Sequence, residues 1–206
     1  MSVNWTIRNV VYGFIALSIS AGSAIPATAE ASLWMKTGSV TSQPIGHYEF
    51  CLQYVDECTT KFRSAAPPQL TQRGWQVVRE INSSVNASIA PITDEDLYGK
   101  DEVWVYPTNA RDCEDYALLK RRTLIEQGFS AADLLMTVLL KPDGEGHAVV
   151  TVRTSEGDFI LDNLEEQVLL WSKTPYTFLK RQASFNSGRW VTIENGEELA
   201  VGSVKE

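Results

Sequence analysis

The spacing of apolar residues changes once along this chain, at Gly128, and that change constrains the fold more than any other feature of the sequence. Before Gly128, apolar residues recur three and four positions apart, which predicts helices over residues 70–89 and 112–127. Residues 30–68 show no clear period and are expected to be irregular. After Gly128, short β-rich runs predict strands over residues 134–140, 148–153, 159–161, 177–179 and 189–193. Helices followed by antiparallel strands predict an α+β fold.

The composition is that of an ordinary globular protein and argues against two classes of partner. The chain has 206 residues, of which 44% are hydrophobic and 21% charged, and this is enough for one domain with a buried core. Its 18 basic and 26 acidic side chains give a net charge of −8. Nucleic acids and anionic membrane surfaces both require basic patches, so neither is expected as a partner.

The first 29 residues have the three parts of a secretory signal peptide. Arg8 precedes a short apolar run over residues 10–21, and an A-x-A triplet follows at residues 27–29. The run is shorter than the roughly 20 residues that a transmembrane helix needs, although an uncleaved anchor stays open as an alternative. The sequence therefore predicts cleavage after Ala29 and a single domain over residues 30–206. A bacterial periplasm is the simplest destination, with no membrane insertion after cleavage.

Export determines how the three cysteines are interpreted. Cys51 and Cys58 lie seven positions apart in a polar segment, so an oxidising compartment makes them candidates for a disulfide. Two free thiols are the alternative. Cys113 is left over, and an unpaired thiol in an exported protein is a liability unless it is buried or used.

Three residues far apart in the sequence together offer nucleophilic acyl chemistry. Cys113 falls in the first turn of a predicted helix that Asp112 caps, where the helix dipole stabilises a thiolate. His147 opens a predicted strand and Asp162 follows the next one, so a hairpin would bring them side by side. A thiol, an imidazole and a carboxylate are the parts of a catalytic triad. Each alone has a common structural role, and only their combination favours catalysis. The other histidine, His47, is interpreted as structural or exposed.

Carboxylates surround the thiol of Cys113, at Asp112, Glu114 and Asp115. Their charge should raise the pKa of the thiol and oppose its ionisation. Glu114 also falls on the apolar side of the helix, and a buried carboxylate needs a partner. Arg111 and Arg121 are one possibility. A bound Ca²⁺, which takes several oxygen ligands, is the other, although no EF-hand spacing is present.

Several short motifs occur together in the chain: Val85-Asn86, Tyr98-Gly99, DEVW at 101–104 with Pro107, DCEDYA at 112–117, GHA at 146–148 and LDN at 161–163. They resemble the bacterial transglutaminase-like cysteine proteinases, a family that includes the LapG-type periplasmic adhesin proteases. The resemblance extends from about Pro44 to about Asn163. It implies a papain/transglutaminase-like fold, with N-terminal helices packed on an antiparallel sheet, and Cys113, His147 and Asp162 as the triad.

The same resemblance implies a metal and two partners. Ca²⁺ dependence is implied for LapG-type members and would fall on Asp112 and Glu114, with Asp115 as a further ligand. LapG-type enzymes cut large surface adhesins and are sequestered by an inner-membrane receptor for cyclic di-GMP. An adhesin substrate and such a receptor, and with them a role in biofilms, are implied here by the resemblance alone, because no motif in this chain identifies a substrate.

The leading hypothesis is therefore a periplasmic Ca²⁺-dependent cysteine endopeptidase acting on a protein substrate. The backbone N–H of Cys113 is expected to help hold the oxyanion, with Trp104 and Asn109 as candidates for a second donor. A transglutaminase or another acyltransferase with the same triad is one alternative. A non-enzymatic periplasmic binding module is the other.

Overall fold

The structure, a computed structural model, describes residues 1–2, 32–100, 102–107 and 110–194. The side chains of residues 91, 97, 98, 110 and 111 are not described. The chain divides into two compact units, Met1–Glu30 and Ala31–Glu206, and the described helices and strands belong to the second. Apart from its first two residues, the predicted signal peptide lies outside the described residues. In the described part of the chain, no helix is long and apolar enough to cross a membrane.

The segment expected to be irregular, residues 30–68, is described from residue 32 onward and contains three elements there. They are the strand β1 (Lys36–Thr41) and the helices α1 (Ile45–Gln53) and α2 (Val55–Cys58). The expectation was wrong because α1 has apolar side chains on its exposed side as well as on its buried side. Phe50 points into the core, while Ile45 is 63% exposed, so no clear periodicity separates the two faces of the helix.

The helices predicted before Gly128 are α3 (Gln72–Ser88) and α5 (Cys113–Glu126), both within two residues of their predicted ends. The Thr71 hydroxyl caps α3 by accepting a hydrogen bond from the Gly74 N–H at 3.0 Å. The Asp112 carboxylate caps α5 by accepting one from the Cys113 N–H at 2.6 Å. Between these two helices the described residues form three short elements: β2 (Ala90–Pro91), α4 (Asp94–Tyr98) and β3 (Ala110–Arg111).

The described strands after Gly128 form an antiparallel sheet together with β1, which confirms the α+β prediction. Its strand order is β1-β9-β8-β4-β5-β6-β7, and every neighbouring pair runs antiparallel. The strands after Gly128 are β4 (Leu134–Leu140), β5 (Gly146–Thr154), β6 (Gly157–Leu161), β7 (Leu169–Leu170), β8 (Thr177–Ala183) and β9 (Asn186–Glu194). All five predicted strands fall within them.

The β5–β6 hairpin fixes the position of two predicted site residues. Val150 pairs with Leu161 and Thr154 with Gly157, so the start of β5 and the end of β6 lie at the same end of the hairpin. Gly157 makes the tight turn with φ 137°, and a Cβ there would lie 2.7 Å from the Leu33 carbonyl oxygen.

The main core lies between the helices and the sheet. Val78 from α3 and Leu124 from α5 pack in one cluster with Val150, Leu161 and Trp190 from the sheet, and these side chains are fully buried. Burying an aliphatic side chain of this kind stabilises the fold by about 1.5–3 kcal/mol. This packing holds the first turn of α5 against the start of β5, where the candidate site lies.

Candidate active site

His147 and Asp162 form a buried hydrogen-bonded pair at the end of the hairpin. His147 Nε2 lies 2.8 Å from Asp162 Oδ1, and the two residues are 6% and 2% exposed. The Leu164 N–H also donates to Oδ1, at 2.9 Å, while the Tyr176 hydroxyl donates to Oδ2 at 2.6 Å. Burial acts to raise the pKa of Asp162, but these hydrogen bonds and the charge of His147 together lower it. The carboxylate is therefore ionised and accepts a hydrogen bond from Nε2. Nδ1 is left as the nitrogen available for proton exchange.

The backbone of the loop that carries Asp162 is held from the α layer. Asn86 on α3, part of a motif singled out in the sequence, donates from Nδ2 to the Asp162 carbonyl oxygen at 2.9 Å. Asn82, one turn earlier, donates to the carbonyl oxygens of Glu165 and Glu166. The core packing of α3 thus fixes the position of the Asp162 carboxylate.

Cys113 places its thiol against the start of β5. The backbone N–H of Ala148, the residue after His147, hydrogen-bonds the sulfur, and the thiol donates to Glu114 Oε2 at 3.3 Å. Burial raises the pKa of this thiol well above its usual value, and the charges of Glu114 and Asp112 raise it further, whereas the Ala148 N–H lowers it. Without a compensating positive charge, this environment favours the neutral thiol.

An acidic cluster surrounds the thiol and includes one residue that the sequence did not single out. The ligand atoms of Asp112, Cys113 and Glu114 lie within 4.8 Å of one another. Asp94 on α4 joins them, since its backbone N–H donates to Asp112 Oδ2 at 3.4 Å. Asp94 is 2% exposed, and its Oδ1 has no hydrogen-bond partner within the described residues. Burial raises the pKa of Glu114 to about 9, and the charges of Asp112 and Asp94 contribute to this rise.

The other charged residues suggested from the sequence, Asp115, Arg121 and Arg111, are not seen in the acidic cluster that the described side chains form. Asp115 is fully buried, and its Oδ1 accepts a hydrogen bond from the Val105 N–H at 2.7 Å, so it supports the loop that carries Trp104. The suggestion that Arg121 neutralises the acids is wrong: it lies 3.8 Å from a Glu57 carboxylate oxygen and donates to the Leu134 carbonyl. The side chain of Arg111 lies outside the described part of the chain.

The thiol and the imidazole line a cleft of about 750 Å³. Its walls are apolar at Ile45, Val138, Leu139, Leu140 and Leu179 and acidic at Asp94, Glu95 and Glu102. Trp104 lines it as well and donates from Nε1 to Glu102 Oε2 at 3.1 Å. Glu102 adopts φ 62°, the left-handed region that residues with a side chain rarely occupy. An open cleft with a thiol and an imidazole in its wall can admit a polypeptide segment. Asn109, the other suggested oxyanion donor, is not described.

His47, interpreted from the sequence as structural or exposed, is structural. His47 is 1% exposed, accepts a hydrogen bond from Trp190 Nε1 at 3.3 Å and lies 3.1 Å from Gln182 Nε2. Burial, with a smaller effect from Arg121, lowers the pKa of His47 to about 3, so it is a neutral core residue. The predicted Cys51–Cys58 disulfide is present, with a Cα–Cα distance of 5.6 Å.

The fold and this combination of a thiol with a His–Asp pair are those expected of a transglutaminase-like cysteine peptidase. The chain belongs to the family described as bacterial transglutaminase-like cysteine proteinase BTLCP, whose model matches residues 37–198. The sequence resemblance is thereby confirmed, and the protein is a cysteine peptidase. Among curated proteins, none matches this chain.

Solved structures of LapG from Legionella pneumophila are similar to this chain. One is 27% identical over 57% of this chain and 66% of its own, with a TM-score of 0.49. An EGTA-treated form is 26% identical over 57% and 67%, also with a TM-score of 0.49. A calcium-bound form is 22% identical over 73% and 81%, with a TM-score of 0.50, and here the likeness is one of fold.

Proposed function

We propose that this cysteine peptidase is a periplasmic, Ca²⁺-dependent endopeptidase with Cys113 as nucleophile and His147–Asp162 as its acid–base pair. The observation that carries the proposal is the 2.8 Å contact between His147 and Asp162, beside a helix-start thiol in the same cleft. A hydrogen-bonded imidazole–carboxylate pair of this kind has one tautomer, with Nε2 protonated toward Asp162 and Nδ1 able to take a proton.

The reaction follows from these positions. Nδ1 of His147 takes the thiol proton, and the sulfur of Cys113 forms a bond to the carbonyl carbon of the substrate. The tetrahedral intermediate collapses as the C–N bond breaks, and protonated His147 gives its proton to the departing amine. His147 then deprotonates a water molecule, which attacks the thioester, and the carboxylic acid leaves as the thiol regains its proton. Asp162 keeps the imidazole oriented and stabilises its charged form.

The expected oxyanion donor is engaged in this structure. The Cys113 N–H donates to Asp112 Oδ1 at 2.6 Å and is therefore not free to receive a substrate oxyanion in the same arrangement. The role that the sequence suggested for this N–H depends on the Asp112 carboxylate moving away from it. A ligand that binds the Asp112 carboxylate, such as a cation, would therefore also control whether the Cys113 N–H is free.

A hard cation fits the acidic cluster. Asp94, Asp112 and Glu114 would hold it, and the orphaned Oδ1 of Asp94 and the raised pKa of Glu114 both indicate carboxylates that lack a counter-charge. When bound, Ca²⁺ supplies positive charge that offsets the carboxylates around the thiol. Ca²⁺ is chosen over other hard cations because a calcium-bound LapG structure is similar to this chain. Asp115 is proposed as a support of this site rather than as a central ligand.

The proposed substrate is a cell-surface adhesin, and the proposed regulator is an inner-membrane receptor; both rest on the family resemblance. The test uses a surface-protein extract from cells that lack the gene, incubated with purified wild-type protein and Ca²⁺. We expect new fragments with the wild type and none with a folded Cys113→Ala variant. Fragments produced equally by the variant would overturn the mechanism, and a labelled primary amine attached to a product would identify an acyltransferase instead.

The calcium site and the location are tested separately. Calorimetric titration of chelator-treated protein should show Ca²⁺ binding that Asp112→Asn and Glu114→Gln each weaken. The control Glu126→Gln, at the exposed far end of the same helix, should leave binding unchanged. If Ca²⁺ does not bind at millimolar concentration and a chelator leaves activity unchanged, the calcium proposal is wrong. A periplasmic fraction in which the chain begins at Glu30 would support export and cleavage after Ala29.

A further inference from the structure

Tyr176 contacts both members of the proposed acid–base pair although it lies in neither element of the hairpin. Its hydroxyl donates to Asp162 Oδ2 at 2.6 Å. Its ring centroid lies 5.8 Å from that of His147, at an interplanar angle of 61°. The residue sits just before β8, where the ring also lies edge-on to the fully buried Phe178. The core therefore anchors the ring that covers the imidazole.

The hydrogen bonds of Asp162 are divided between its two oxygens. Oδ1 faces His147 and the Leu164 N–H, whereas Oδ2 receives the Tyr176 hydroxyl. A carboxylate held at one oxygen can still turn about its Cβ–Cγ bond, and a bond to the second oxygen removes that freedom. The plane of the carboxylate sets the direction of the bond to Nε2, and thus the direction in which Nδ1 of His147 points.

Tyr176 lies behind the pair and away from the cleft. The cleft of about 750 Å³ is lined by Cys113 and His147 but not by Tyr176. Tyr176 and Asp162 instead line a separate cavity of about 120 Å³. Burial raises the pKa of the Tyr176 phenol, and the hydrogen bond to Asp162 raises it further, so the hydroxyl stays protonated and remains a donor. A hydroxyl that stays protonated and donates to Asp162 takes no part in proton transfer, and it acts on His147 through that carboxylate.

We propose that Tyr176 is a positioning residue, whose hydroxyl fixes the Asp162 carboxylate and thereby the tautomer and direction of the His147 imidazole. The inference rests on the proposed function, because it has meaning only if this pair activates Cys113. At metal sites, loss of the hydrogen-bond partners that orient a ligating imidazole costs about 10- to 100-fold in metal affinity or activity, and the hydrogen bonds of Asp162 orient His147 in the same way. Losing one of the two anchored oxygens should therefore slow the chemistry by about tenfold.

The test needs no identified substrate. Cys51 and Cys58 are joined in a disulfide, so Cys113 is the cysteine that can be alkylated. Its rate of alkylation by iodoacetamide, measured at neutral pH with Ca²⁺ present, reports how well His147 activates the thiol. Tyr176→Phe removes one oxygen atom and keeps the ring, and a thermal melt checks its fold. We expect its alkylation to be about tenfold slower than that of the wild type. Tyr106→Phe is the matched control, because it removes a tyrosine–carboxylate hydrogen bond, to Glu57, in which neither His147 nor Asp162 takes part. The control should alkylate at the wild-type rate.

Two further readouts separate positioning from a structural role. The chain has two histidines, so nitrogen NMR resolves His147 against His47 as an internal reference. Tyr176→Phe should raise the population of the Nδ1-protonated tautomer of His147 and leave His47 unchanged. In a double-mutant cycle, Tyr176→Phe should have little further effect on alkylation once Asp162→Asn is present, because the tyrosine acts through that carboxylate.

The outcomes distinguish the two proposals. If His147→Ala alkylates as fast as the wild type, the pair does not activate the thiol and the proposed function fails, and the role of Tyr176 fails with it. If His147→Ala is slow while Tyr176→Phe keeps the wild-type rate and tautomer, only the role of Tyr176 is overturned. Additive effects of Tyr176→Phe and Asp162→Asn would also overturn it.

Discussion

Lys120 carries a charge that the fold buries at a cost, and its removal gives a prediction with a defined pH dependence. The residue is 1% exposed, and its Nζ has no hydrogen-bond partner within the described residues. Burial lowers the pKa of Lys120 to about 7 from 10.5, while the charge of Asp162 acts to raise it. Because folding depresses the pKa of this base, the unfolded chain binds more protons than the native state between about pH 7 and pH 10.5.

The size and sign of the effect are set by that window. Within this window, loss of the proton from Lys120 should raise the free energy of unfolding of the wild type as the pH rises, by up to about 1.4 kcal/mol per pH unit. Over the whole window the burial cost is on the order of 5 kcal/mol, present in full below pH 7 and lost by pH 10.5. Lys120→Met replaces the ammonium by an unbranched apolar chain, so it should be more stable than the wild type by a few kcal/mol at pH 6. The difference should shrink as the pH approaches 10.

Urea denaturation at a series of pH values measures this difference directly. Both proteins carry Cys113→Ala to prevent self-cleavage and oxidation of the thiol. The other titrating groups are shared by the two proteins and largely cancel in the difference, which isolates Lys120. The exposed Lys173 provides the control, since Lys173→Met should change stability by no more than about 0.5 kcal/mol at any pH. A difference between Lys120→Met and the wild type that stays constant from pH 6 to pH 10 would refute the reasoning.

Three further variants have defined outcomes. Gly46→Ala would place a Cβ 2.2 Å from Trp104 Cδ1. Because overpacking of this kind costs about 1–3 kcal/mol, the melting temperature and kcat/KM should both fall. Unchanged values would contradict the close packing of Gly46 against Trp104. Replacing Cys51 and Cys58 by serine opens a cross-link with a sequence separation of 7. It should cost about 2–3 kcal/mol by chain entropy, and equal urea midpoints with and without the bond would show that it adds no stability. Thr71→Ala removes a cap and should lower the free energy of unfolding by about 1 kcal/mol in urea, with activity intact.

How far the sequence predicted the fold depended on whether a local pattern was visible. The strand Leu134–Leu140 was predicted to the residue, because a Gly-containing turn and a change of period bound it on both sides. The helix Ile45–Gln53 was missed because tertiary packing covers only one of its two apolar faces. A helix with apolar residues on both its buried and its exposed side gives no clear periodic signal.

The same distinction applies to the candidate site. His147 and Asp162 could be paired from the sequence because a single hairpin connects them. Asp94 could not be separated from the other acids of its loop, since only the packing of α4 against the start of α5 buries it beside Glu114. Tyr176 had no signal at all, because its contact with Asp162 arises from the loop that returns the chain to β8.

The disulfide leaves a single sulfhydryl in a chain of three cysteines. A colorimetric thiol reagent therefore reports, in moles of sulfhydryl per mole of protein, the fraction of molecules in which Cys113 is unoxidised and reachable. A value of one describes a preparation in which every Cys113 is intact, a lower value measures the share in which this thiol is lost, and a value approaching three reveals reduction of the cross-link. Specific activities of different preparations and variants can thus be placed on a common scale by counting sulfur rather than total protein.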